Sequence, residues 1–144
     1  MTKLYYVDTC VWLNLFKKEG DLSKGLPYWK LAENFIEKTM KSPDMKIAYS
    51  GIILRELQII LEEEYNKKRK FFEEDPLFLK IELLPEDKTK ARILESQYQF
   101  KISFYDLLHM MVCKRLSMTL ITRDNQLLRI AKENKVTAMK PEQL

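Results

Sequence analysis

Three observations predict an α/β protein built on a short, mostly parallel central sheet. Short β-branched and aromatic runs alternate with stretches whose apolar residues recur every three or four positions, the pattern of strands joined by helical crossovers. The 144 residues suit one ordinary domain, which hides roughly 70% of its unfolded surface. No repeat, low-complexity tract or linker divides them, so residues 1–144 are expected to form a single domain.

Lys3-Leu4-Tyr5-Tyr6-Val7 predicts a buried strand ending at Asp8, and Val11, Trp12, Leu15 and Phe16 predict a helix from Thr9 to Lys18. Glu19 to Gly25 breaks the pattern with two glycines. Pro27 suits the first turn of the next helix, whose apolar face runs from Tyr28 to Met40. Lys46 to Tyr49 reads as a second strand, with Ser50 placed to cap a helix reaching about Glu64. A charged excursion from Glu62 to Asp75 stops at Pro76, and Leu79 to Leu84 suggests a third strand. Helices follow over Glu86 to Phe100 and Ser103 to Leu116; the second is apolar nearly all round and belongs in the core. Met118 to Thr122 reads as a strand, Asp124 opens a helix over Asn125 to Glu133, and Val136 to Met139 suggests an edge strand.

Composition removes several chemistries. Charged residues reach 32%, hydrophobic ones 46%, which excludes disordered and fibrous classes. No uncharged stretch exceeds eight residues, against the ~20 of a spanning helix, so a cytoplasmic protein without membrane contact is expected. The three glycines, Gly20, Gly25 and Gly51, cannot form a phosphate-cradling loop. Two distant cysteines and a single histidine, His109, cannot build a zinc cluster. Carboxylates, hydroxyls, Lys and Arg remain.

Four acids stand on otherwise apolar elements: Asp8, Glu56, Asp106 and Asp124. Asp8 and Asp124 each follow a strand and precede a helix, where capping alone would explain them. Ser103-x-x-Asp106 matches a capping box. Glu56 is different, because at 100° per residue Ile52 and Ile60 flank it at about 40° and Ile53 and Ile59 at about 60°. A carboxylate in the middle of an apolar stripe needs either an ion pair with Arg or Lys or a metal ion. Strand carboxyl ends are where parallel sheets bind ligands, and carboxylates gathered there require cations to offset their repulsion. Oxygen donors without His or Cys suit Mg²⁺ or Mn²⁺, which points to phosphodiester hydrolysis.

In order and spacing, Tyr6-Val7-Asp8-Thr9, Ser50-x5-Glu56, Ile102-Ser103-Phe104-Tyr105-Asp106 and Leu120-Ile121-Thr122-Arg123-Asp124 resemble the motifs of PIN-domain ribonucleases, particularly the VapC toxins. The resemblance implies a three-layer α/β/α domain that cuts single-stranded RNA with Mg²⁺ or Mn²⁺ held by Asp8, Glu56, Asp106 and Asp124. It also implies ordering roles for Thr9 and Thr122, a homodimer, and a cognate antitoxin as partner. Departures from the family pattern are Cys10, where Asn or Ser is usual, Leu107, Met110 and Met111 in place of Ala, and Leu127 in place of an aromatic. A non-catalytic PIN-like binding module and a housekeeping RNA-processing nuclease are the alternatives. A phosphoaspartyl enzyme fits less well, since Cys10 stands where a second acid is needed.

Net charge is +4, but taking those four from the 21 acids leaves 17 against 25 basic residues. A basic rim around an acidic pit is the expectation. Lys17, Lys18 and Arg123 are the candidate RNA contacts, with Lys67-Lys68-Arg69-Lys70 a solvated face. Trp12, Phe16, Tyr28 and Trp29 fit core packing, base stacking or a partner groove; His109 is read as core packing rather than a proton donor.

Overall fold

The computed structural model describes residues 2–18, 23 and 25–144. Strands β1 (Lys3–Val7), β2 (Met45–Tyr49), β3 (Phe78–Lys80), β4 (Thr119–Ile121) and β5 (Ala138–Met139) form one sheet in the order β3-β2-β1-β4-β5. Every pairing is parallel. Helices α1 (Thr9–Phe16), α2 (Tyr28–Met40), α3 (Gly51–Leu61), α4 (Tyr65–Glu74), α5 (Pro85–Gln97), α6 (Phe104–Leu116) and α7 (Asn125–Glu133) connect the strands.

Alternation along β1 assigns the helices to two layers. Neighbouring residues of a strand point to opposite faces. The Tyr5 ring meets Phe35 of α2 at 5.9 Å, whereas the Tyr6 ring meets His109 of α6 at 5.3 Å. Ile47 and Phe78 share the face of Tyr5 by register. That face carries an aromatic cluster in which Trp12 of α1 lies 4.8 Å from Phe72 of α4 and 5.8 Å from Phe78. Trp12 is buried, so it is a core residue rather than a base-stacking one, and among the described residues its indole N–H has no hydrogen-bond partner. On the other face, α6 buries seven consecutive residues from Leu107 to Cys113, the central helix expected from its all-round apolarity. Leu107, Met110, Met111 and Leu127 all lie in this core.

Several boundaries differ from the sequence expectations. Pro27 sits just outside α2, as its extended N-cap. The helix after Ser50 stops at Leu61 because Glu62 takes a φ of 50°, and α4 then turns back onto the aromatic cluster. The third strand is Phe78–Lys80 rather than Leu79–Leu84: Ile81 makes one more bond, to the Tyr49 carbonyl, and Pro85 then starts α5. Helix α5 ends before Gln99 and Phe100, both at positive φ. The expected break at Glu19 to Gly25 falls mostly outside the described residues. No described helix is long and apolar enough to cross a membrane.

Phe72 touches Trp12, Phe16, Tyr49, Phe71 and Phe78, so its removal leaves a cavity at the centre of one layer. Phe72→Ala is expected to cost about 3–5 kcal/mol, read from the midpoint of urea unfolding.

Candidate active site

Strand order reverses beside β1. The chain moves outward from β1 to β2 and β3, then returns through α5 and α6 to place β4 on the other side of β1. The crevice beyond the carboxyl ends of β1 and β4 is the topological switch point of such a sheet. Asp8 follows β1 there, and Thr122, Arg123 and Asp124 follow β4.

Each acid is held differently. Asp8 is only 5% exposed. Its Oδ1 accepts from Thr9 N at 2.8 Å, while Oδ2 accepts from the Thr122 hydroxyl at 2.8 Å and from the Cys10 thiol at 3.4 Å. Capping therefore accounts for only one of its two oxygens. The thiol remains protonated, since burial and then the Asp8 charge push Cys10 up to about 12. Thr122 also accepts from Asp124 N at 3.1 Å, so one hydroxyl links the two strand-end acids. Asp124 caps α7, its Oδ1 accepting from Gln126 N at 2.9 Å and Leu127 N at 3.3 Å.

Asp106 does not close the expected capping box. Ser103 Oγ accepts from Tyr105 N, and among the described residues the Asp106 carboxylate takes no hydrogen bond. Burial, first, and the charges of Asp8, Asp124 and Glu56 push it up to about 7, against the opposing effect of His109. That influence places the four acids in one electrostatic neighbourhood. They do not close on one point, however: among the described residues no three His, Cys, Asp or Glu side chains converge as metal ligands.

Glu56 lies at the margin of its helix's buried face. Ile53 and Leu57 are buried, but Ile59 is 67% and Ile60 42% exposed, so the inward stripe is narrower than the sequence suggests. The Glu56 side chain is 26% exposed, and its partner is neither Arg nor Lys. Glu56 Oε1 lies 2.7 Å from His109 Nε2 and accepts from the Thr9 hydroxyl at 3.0 Å. His109 is fully buried, as core packing requires, yet it is tied to the acidic cluster. Its other nitrogen, Nδ1, is 2.6 Å from the Tyr6 hydroxyl, which is 2.7 Å from Ser50 Oγ. Burial pulls the imidazole down. The Glu56 bond and the charges of Asp8, Glu56 and Asp106 outweigh it and hold His109 above its ordinary 6.5. Sequence reasoning missed this Tyr6–His109–Glu56 connection. Its signal was available, because His109 interrupts an apolar helix three residues after Asp106 just as Glu56 interrupts another.

The candidate RNA contacts differ in their surroundings. Lys17 and Lys18 are exposed after α1, with the Lys18 ammonium 5.6 Å from the Trp29 ring centre. Arg123 is already engaged: its guanidinium pairs with both Glu142 oxygens, at 2.9 and 2.7 Å, and stacks 4.3 Å over Tyr28. Arg69 of the basic run pairs with Glu73, and Lys68 lies over Phe16.

A model of the PIN domain family matches residues 5–133, a span that includes all four acids. The chain belongs to the PIN domain family. Solved structures with a similar fold are VapBC2 from Rickettsia felis, bound to a DNA fragment from its promoter, FitAcB from Neisseria gonorrhoeae, and VapC20 from Mycobacterium tuberculosis, described as a sarcin-ricin loop cleaving toxin. VapBC2 has a TM-score of 0.68 at 19% identity, over 95% of this chain and 98% of that one. FitAcB gives 0.64 at 18%, over 97% and 99%; VapC20 gives 0.66 at 15%, over 88% and 94%. At these identities the likeness is one of fold. No curated protein sequence matches this PIN domain.

Unfolded, Asp106 titrates near 3.8; folded, at about 7. Between those limits the native state holds the extra proton, so Asp106 makes stability fall as pH rises from about 4 to about 7. His109 has the opposite charge type but the same sign of slope: its contribution is present below 6.5 and lost as pH rises through its raised value. In urea unfolding of the metal-free protein across pH, Asp106→Asn is expected to gain on the wild type throughout the lower window. A constant difference would show an unshifted Asp106.

Proposed function

We propose that this PIN domain is a metal-dependent endoribonuclease that cuts single-stranded RNA, acting as the toxin of a toxin–antitoxin pair. The observation that carries this reading is electrostatic: burial and the charges of Asp8, Asp124 and Glu56 push the Asp106 carboxyl up to about 7, beside the β1/β4 switch point where Asp8 and Asp124 stand. Carboxylates that act on one another in this way repel, and a divalent cation offsets that repulsion. The donor set fits Mg²⁺ or Mn²⁺, since it offers carboxylate oxygens and keeps the nearby Cys10 protonated.

Asp8, Glu56, Asp106 and Asp124 are the residues that would hold the ion, which supplies Lewis acidity toward a phosphodiester when bound. The remaining roles belong to the chain itself. Thr122 joins Asp8 to the start of α7 and so fixes the spacing of Asp8 and Asp124. Thr9 restrains Glu56 through Oε1. Lys17 and Lys18, exposed after α1, are the proposed contacts to an RNA phosphate backbone. Arg123 contributes there only if RNA displaces Glu142.

The proposed toxin role and antitoxin partner are supported by the fold's likeness to VapBC2 and to a Klebsiella pneumoniae toxin–antitoxin complex, and a homodimer and a cytoplasmic location belong to the same proposal. Purified protein with Mn²⁺ or Mg²⁺ is expected to cleave single-stranded RNA. Asp8→Asn should lower the rate roughly 100-fold, the loss typical of removing one group that stabilises transition-state charge. Equal residual cleavage by wild type and variant would eliminate the catalytic reading and leave a binding module. Metal at 100 times its Kd should stabilise the fold by about 2.7 kcal/mol, seen as a raised Tm. Expression is expected to arrest growth, with relief by Glu56→Gln; normal growth despite active protein would identify a housekeeping nuclease instead.

A further inference from the structure

We infer that His109 and Tyr6 are positioning residues that fix the Glu56 carboxylate for cation binding, through a closed circuit of hydrogen bonds anchored at Ser50. This rests on the metal-nuclease reading above. The circuit runs from Glu56 Oε1 to His109 Nε2 at 2.7 Å, from His109 Nδ1 to the Tyr6 hydroxyl at 2.6 Å, and from there to Ser50 Oγ at 2.7 Å. Ser50 Oγ in turn accepts from Ile53 N in the first turn of α3, the helix that carries Glu56. The same helix is therefore held at its cap and at its acid, by groups from β1 and α6.

Both donors to Glu56, His109 and Thr9, land on Oε1. Oε2 takes no hydrogen bond among the described residues, so one oxygen is spent on orientation and the other is left to a ligand. The arrangement does not depend on the charge of the imidazole. Nε2–H donates to Glu56 in the neutral tautomer and in the imidazolium alike, because the Tyr6 hydroxyl can donate to or accept from Nδ1. Burial makes the circuit rigid: Tyr6, Ser50 and His109 are all 0% exposed, and each would lose solvation without recompense if its partner were removed. Metal-binding histidines are usually oriented by a carboxylate; here the order is inverted, with a histidine orienting the carboxylate.

A packing role and a positioning role separate in metal affinity. Mn²⁺ binding is measured by calorimetry on wild type, His109→Leu, His109→Gln and Tyr6→Phe, with urea unfolding in chelator as the stability control. His109→Leu is expected to weaken Mn²⁺ binding about 10–100-fold, the loss typical of outer-sphere partners. His109→Gln, whose amide can reach Glu56, should recover most of it, and Tyr6→Phe should fall between. A folded His109→Leu that binds Mn²⁺ within about twofold of wild type overturns the inference, as does a Gln variant no better than Leu. If His109→Leu does not fold, wild-type affinity in both other variants overturns it. Wild type that binds no Mn²⁺ defeats the nuclease reading and this one together; wild type that binds, beside unaffected variants, defeats this one alone.

Discussion

The last rung between the two central strands sets the position of everything that follows them. Asp8 N donates to the Ile121 carbonyl at 2.8 Å, one step past the pairing of Val7 with Ile121. That bond aligns the end of β1 with the end of β4, so the next residues of both segments emerge side by side. Thr122 then reaches Asp8 with its hydroxyl, and Asp124 N reaches Thr122. A slip of one residue in this register would turn Asp8 or Thr122 to the wrong face. Two strand ends, adjacent in space and more than a hundred residues apart in sequence, thus supply the floor of the crevice without any loop having to be ordered for the purpose.

The walls come from helices whose burial was decided for other reasons. Helix α6 is buried along seven consecutive residues because it covers Tyr6, Ala48 and Leu120 on one face of the sheet. A helix so enclosed can hold a polar side chain only with partners, and His109 has them on both ring nitrogens. Asp106, one turn earlier, stands at the margin of that enclosure with neighbours of its own charge and no hydrogen bond among the described residues. The helix therefore presents two contrasting groups to the crevice: a satisfied imidazole and a carboxyl whose ionisation the surroundings oppose.

Much of this is legible in the sequence. The strands at Lys3–Val7 and Met45–Tyr49 and the helix at Asn125–Glu133 follow from runs with clear period and from capping residues at Asp8, Ser50 and Asp124. Boundaries were less legible where the backbone takes a positive φ at a non-glycine residue, as at Glu62, Gln99 and Phe100, since no residue type marks those turns. The four acids could be singled out because apolar elements make carboxylates conspicuous. Their partners were hidden, because Tyr6 and His109 look like core aromatics until the register brings Tyr6 under α6 and places Glu56 beside the imidazole. Arg123 shows the same limit. The sequence offers it as a candidate RNA contact, and only the return of Pro141–Gln143 reveals Glu142 as its partner.

The aromatic layer opposite has a practical consequence for spectroscopy. Of the two tryptophans, Trp12 is sealed among phenylalanine rings with its indole N–H unpartnered among the described residues, whereas Trp29 is only half-buried near Lys18. An indole in so apolar a setting emits at short wavelength, and loss of the layer exposes it to water. The protein thus carries an intrinsic fluorophore for the integrity of one helical layer, on the face away from the side chains of Tyr6 and His109. Because α1 also carries Thr9 and is capped by Asp8, emission from Trp12 reports how firmly that layer holds the helix that leads out of the crevice.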